Sequence, residues 1–209
     1  MNRRSVMVGL SAFAGAVTVP ALLAAQPTPD QLFAPGALPE KSFGSEGAPV
    51  TVIEYASLTC PHCRTFHVNV WPEFKKKYVD TGQVRFIMRE FPFDPRASAG
   101  FMLARCAGDD KWYATIDLLY RSQDNWARVS DGTAALKSLM GMTGMDSARF
   151  ESCLQDQALL EQVAAVAEAG KSFGVDSTPT FFVNGEMRKG ALSLEQFSEI
   201  IDPLVAEGN

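Results

Sequence analysis

Cys60-Pro61-His62-Cys63, read with the run Pro49-Val50-Thr51-Val52-Ile53-Glu54-Tyr55-Ala56-Ser57 just ahead of it, decides the fold of this 209-residue chain. Val50 to Tyr55 is mostly apolar and rich in β-branched residues, which predicts a strand. From Cys60 to about Tyr78, the residues Phe66, Val70, Phe74 and Tyr78 recur every fourth position and predict a helix with one apolar face. Pro72 falls inside that helix and should kink it, because proline has no N–H for the ladder. Cys60 therefore stands at a strand-to-helix turn, where unpaired N–H groups and the positive end of the helix dipole converge. Such a setting favours the thiolate, the form that exchanges with disulfides. Two cysteines at this spacing can close a small reversible disulfide. They could equally be two buried thiols or half of a zinc site, and the motif alone leaves those readings open.

Downstream, Gly82 leads into the alternating stretch from Gln83 to Arg89, a second strand that completes a βαβ unit with a right-handed crossover. From Pro95 to about Gly174 the texture is helical and poor in strands. Asp109 or Asp110 should cap a helix running to Tyr120, and Asp146 one running to Leu154. An alanine-rich helix from Ala158 to Phe173 should stop at Gly174. Thr180 to Val183 and Glu186 to Lys189, separated by Asn184-Gly185, read as a β-hairpin. A last helix is capped by Ser193 with Gln196 three residues on, and turns Leu194, Phe197, Ile201 and Leu204 inward.

The start of the chain differs in kind. Arg3 and Arg4 precede an uncharged stretch from Val6 to Ala25 that ends in small residues, the pattern of an export signal. Leu23 departs from the usual small residue before a cut after Ala25. An uncleaved membrane anchor is the other reading of a span of about 20 apolar residues. Asn2-Arg3-Arg4-Ser5-Val6-Met7 matches the twin-arginine signal weakly, so Sec and Tat routes both stay open. Export suits four cysteines, since disulfides persist outside the cytosol. Loss of the leader moves the formal net charge from −5 to −7, and an acidic chain without a basic stripe is a poor nucleic-acid binder. Lys75-Lys76-Lys77 fans around a helix and reads as a solvated face.

The element order, the cysteine motif after the first core strand and Ser177-Thr178-Pro179-Thr180-Phe181-Phe182-Val183-Asn184-Gly185 before the hairpin together resemble the thioredoxin fold. The helical insertion and the Pro-His dipeptide narrow the resemblance to the DsbA family of exported thiol oxidases. It covers essentially the whole mature chain. The expected class is α/β, a thioredoxin-like fold with an inserted α-helical domain. The chain then divides into an export signal (1–25), an extended lead-in (26–48), a thioredoxin-like domain (49–94 and 175–209) and a helical insertion (95–174).

The resemblance assigns roles. Cys60 would be the attacking and attacked sulfur, and Cys63 the buried partner, the two forming the redox-active disulfide. Between them, Pro61 would belong to the catalytic motif, and His62 would donate a hydrogen bond or positive charge to the Cys60 thiolate. Stabilising the reduced form makes the disulfide more oxidising. Pro179 would be cis, exposing the Thr178 backbone to an extended client peptide. Thr178 departs from the valine of the best-known oxidase; threonine there also occurs in isomerase relatives. Glu54, six residues before Cys60, would take the proton of Cys63 if its side chain faces inward. His67 lacks a place between the cysteines and reads as ordinary helix surface. Cys106 and Cys153 sit on apolar helical faces, and an exported setting favours a second, structural disulfide over two free thiols.

The function expected is periplasmic oxidation of cysteine pairs in newly exported, unfolded proteins, with reoxidation by a membrane quinone-linked DsbB-like partner. A disulfide isomerase or reductase of the same fold is the alternative, though residues 26–48 are too short for a dimerisation domain, and a monomer is expected. No cofactor and no metal are expected. A copper or zinc chaperone would use Cys60, His62 and Cys63, but the only other histidine, His67, lies on the same helix.

Overall fold

A computed structural model gives the fold, and it describes residues 27–34 and 36–207. The export-signal reading of residues 1–25 lies outside the described residues. Five strands form one sheet in the order β1-β3-β2-β4-β5, with β1 Lys41–Phe43, β2 Val50–Ala56, β3 Val84–Glu90, β4 Thr180–Val183 and β5 Glu186–Lys189. β2 and β3 run parallel in register Val50↔Val84 through Ala56↔Glu90, and the other pairs are antiparallel. β2 and β4 lie inside the sheet, covered on both faces, which is why they read as continuous apolar runs. The expected hairpin is present with Asn184 at φ 45° in its turn.

The lead-in is more than extended chain. It holds α1, Pro29–Phe33, closed by reciprocal bonds between Thr28 and Gln31, and it contributes β1, which pairs with β3. Three residues, Lys-Ser-Phe, are too few to carry an alternation that sequence reading could detect.

The helix after Cys60 is built of four segments: α2 Pro61–Thr65, a π-helical turn Phe66–Val70, α3 Trp71–Phe74 and a second π-helical turn Lys75–Val79. The Trp71 N–H reaches back to the Phe66 carbonyl, so Pro72 falls in the first turn of a new segment, where its missing N–H leaves no gap. The wider turn also puts Trp71, in place of Val70, into the buried stripe with Phe66, Phe74 and Tyr78.

The insertion contains α4 Pro95–Cys106, α5 Asp109–Arg121, α6 Gly132–Met142, α7 Ser147–Leu154 and α8 Gln157–Ser172. Asp94, Asp131, Asp146 and Asp156 each cap the following helix. α5 differs from expectation: Gly108, at φ 93°, is its N-cap, and Asp109 and Asp110 sit in the first turn, favoured there by the helix dipole. α9, Leu194–Glu207, starts with Ser193 and Gln196 bonding reciprocally, and it buries Phe197 and Ile201 completely.

Two cores flank the sheet. The larger joins the α2–α3 helix, α9 and the insertion. The smaller, on the opposite face, packs Leu32, Ile53, Tyr55, Ile87, Phe91 and Phe182 beneath Ala167 and Val175. Gly170 of α8 approaches Tyr55 so closely that a Cβ there would meet its ring at 2.7 Å. The end of α8 therefore covers this face of the sheet. Among the described residues, no helix is long and apolar enough to cross a membrane.

Candidate active site

Cys60 is the N-cap of α2 in extended conformation, with Pro61 in the first helical turn. Its N–H donates to Ser57 O (3.1 Å), which closes the turn out of β2. Both cysteines are free thiols; Cys60 is partly exposed and Cys63, one turn deeper, is buried. The Cys60 thiol donates to the Thr178 carbonyl at 3.3 Å, across the cis Thr178–Pro179 bond at the head of β4. The insertion holds the loop from the other side: Gln123 Nε2 donates to Leu58 O (2.8 Å) and Cys60 O (3.0 Å). Thr59 Oγ1 donates to Asp94 at 2.5 Å.

The two sulfurs differ sharply in acidity. Cys60 is lowered to about 5, first by the hydrogen bond from the Cys63 thiol and then, against partial burial, by the backbone N–H groups of Cys63 and His62. The Thr178 carbonyl accepts from the thiol and on its own favours the protonated form. Cys63 is pushed well above the ordinary thiol range by burial, then by Cys60 and by the nearby charge of Glu54. One sulfur is partly exposed and acidic, and the other is buried and held as a thiol.

Three side chains depart from their sequence reading or complete it. The His62 ring is exposed and makes no hydrogen bond among the described residues, so its contribution to Cys60 comes through its backbone N–H. Glu54 faces inward and is fully buried. His67 is a correction: it is 1% exposed, its Nε2 lies 2.8 Å from Glu54 Oε2, and its ring stacks on Tyr120 with centroids 4.5 Å apart. The cause is helical spacing, because His67 is four residues after Cys63 and shares its buried face. That signal was available in the sequence. Gln123, Asp94 and Tyr120 lacked any, since only the packed insertion brings them to the cysteines.

Cys106 and Cys153 form a disulfide that ties the end of α4 to α7, with Cα atoms 6.2 Å apart. It lies in the insertion and is separate from the Cys60–Cys63 pair.

A sheet of this order, a Cys-x-x-Cys at the helix start and a cis proline facing it define a thioredoxin-fold thiol–disulfide exchange domain. A family model described as thioredoxin matches residues 38–203, and the chain belongs to that family. Within it the chain is of the DsbA type. The Wolbachia pipientis α-DsbA1 structure is 31% identical and superposes with a TM-score of 0.77, covering 87% of this chain and 98% of that one. BdbD of Bacillus subtilis, at 20% identity and a TM-score of 0.72, shares the fold over 88% of this chain and 97% of its own. A Rickettsia felis protein with the provisional name protein-disulfide oxidoreductase is 33% identical over 170 residues, 79% of this chain. The chain spans 60% of the length of that relative.

Proposed function

We propose that this protein oxidises cysteine pairs in newly exported proteins of the periplasm, passing the Cys60–Cys63 disulfide to them by dithiol–disulfide exchange. The observation that carries the reading is the acidity gap between a partly exposed Cys60 held at about 5 and a buried Cys63 held well above the usual thiol range. A client thiolate attacks Cys60 of the disulfide, and Cys63 leaves. The client's second thiolate then attacks its own sulfur in the mixed disulfide and releases Cys60, which departs readily because its thiolate is stable. Two electrons pass from client to protein. The Thr178 backbone offers an extended client a strand edge beside the reacting sulfur. A membrane quinone-linked DsbB-like protein would return the pair to the disulfide. In this reading Cys106–Cys153 is structural, the protein acts as a monomer, and the thioredoxin-like domain carries the chemistry while the insertion frames it.

The reading is tested by mixing the oxidised protein with a reduced, unfolded client bearing two cysteines and following client disulfide formation. Cys60→Ser is expected to abolish it. A Cys60–Cys63 potential below about −200 mV, on a scale where DsbA stands near −120 and thioredoxin near −270 mV, would sink the oxidase assignment in favour of a reductase or isomerase.

A further inference from the structure

The leaving sulfur poses a chemical problem. Cys63 is buried and disfavoured as a thiolate, and a thiol of high basicity is a slow leaving group unless it is protonated as it departs. Beneath it lies a Glu–His pair enclosed by aromatic rings. A buried pair of this kind is weak evidence for stability, because well-packed apolar residues serve as well or better. The titratable groups against the His67 ring are Glu54 from β2 and Tyr113 and Tyr120 from α5, and Glu54 in turn acts on Cys63. Burial holds both tyrosines as phenols, which leaves Glu54 and His67 as the groups able to exchange a proton with Cys63. Glu54 Oε1, His67 Nδ1 and the Tyr113 hydroxyl are all buried and have no hydrogen-bond partner among the described residues. The His67 and Tyr113 rings lie 6.4 Å apart, and Tyr113 lines a cleft of about 390 Å³ between β1 and α5 that opens to solvent.

We propose that His67 is the proton relay of the exchange, acting through Glu54 on Cys63 and refilled from solvent on the Tyr113 side. The inference rests on the exchange chemistry proposed above. When a client thiolate attacks Cys60, the Cys60–Cys63 bond breaks and the client–Cys60 bond forms, with the electron pair leaving on Cys63. A proton on the Glu54 carboxyl passes to Cys63, while the His67 ring, with its hydrogen on Nε2, donates to Glu54 Oε2. That leaves a Glu54 carboxylate, a neutral His67 and a Cys63 thiol, and the negative charge brought by the client is retained on the pair. A solvent proton then reaches His67 Nδ1, which is free to accept it, and the Nε2 proton moves to the Glu54 carboxyl, restoring the proton count of the pair. Reoxidation runs the same path in reverse. His67 touches none of the reacting sulfurs and is a positioning residue.

The test is the rate at which dithiothreitol reduces the Cys60–Cys63 disulfide, corrected for the reagent's thiolate fraction and followed from pH 5 to 8.5. The native protein should give a nearly flat profile. His67→Gln keeps an amide donor for Glu54 but carries no exchangeable ring proton. Its corrected rate should fall with rising pH, by about 100-fold at the alkaline end, the lower range for a positioned acid–base group. A His67→Gln profile parallel to the native one overturns the relay. If that variant fails to fold, the native protein answers in mixtures of H2O and D2O: a slowed rate with a curved dependence on deuterium content supports the relay, and indifference to deuterium overturns it. Native protein that fails to exchange at all would instead refute the proposed function.

Discussion

Proton counting gives the sharpest check on the paired cysteines. With Cys60 titrating at about 5 and Cys63 well above 9.0, reduction of their disulfide between pH 5 and 9 yields one thiolate and one thiol. Two electrons are then accompanied by a single proton. A tenfold change in equilibrium constant is ~29.6 mV for a two-electron couple, so the potential should fall by about 30 mV per pH unit in this window. Below about pH 5 both sulfurs bind protons and the slope should double to about 59 mV. The sign follows from a depressed thiol: the stabilisation of the reduced folded form is complete above the ordinary value of 9.0 and is lost as pH falls through about 5. At pH 7 it should make the disulfide about 30–60 mV more oxidising than a pair of ordinary thiols. The lower figure allows for solvent screening at a half-buried sulfur. The assay is equilibration with glutathione buffers from pH 4.5 to 9, with Cys60 scored by alkylation and mass. A slope near 59 mV per unit throughout pH 6 to 8 would refute the thiolate assignment and with it the acidity gap.

Replacing both Cys106 and Cys153 with alanine should lower unfolding stability by about 4 kcal/mol on the loop-entropy account for a separation of 47 residues, with dithiol exchange retained. Loss of exchange with unchanged stability in urea would reverse their proposed role. Gly170→Ala should cost about 1–3 kcal/mol, because the new methyl would meet Tyr55 at 2.7 Å and Phe91 at 3.1 Å. A neutral result in thermal unfolding would show that the α8 layer shifts freely. Arg105→Met should cost about 3–5 kcal/mol, since Glu90 is 1% exposed and Arg105 Nη2 pairs with it at 2.6 Å. Adding Glu90→Leu should recover most of that loss, and no recovery would mean that the bond from Arg105 to Pro39 O dominates.

What the sequence disclosed follows the range of the forces involved. The hairpin, the Asp146 and Ser193 caps and the strand ahead of Cys60 rest on contacts within a few residues, and the structure places each where its local chemistry indicates. The π-helical turn before Pro72 depends on how the whole helix seats against β3, so the expected stripe through Val70 gave way to Trp71. β1 gains its identity only by pairing with β3, and α8 only by capping Tyr55. At the site, Cys60, Cys63 and Pro179 were marked by motif, and Glu54 by offset alone. His67 was misread because its place was judged along the chain, when its distance around the helix from Cys63 decides its burial.

Gln123 carries a consequence for transplantation. A single amide spans the carbonyls on either side of Thr59, so the redox loop is pinned by a residue outside the sheet that bears the cysteines. A minimal scaffold made of the five strands, the Cys60 helix and α9 would preserve both thiols yet forfeit the brace that presents the first. Excising the insertion's helices should therefore loosen the turn that presents Cys60.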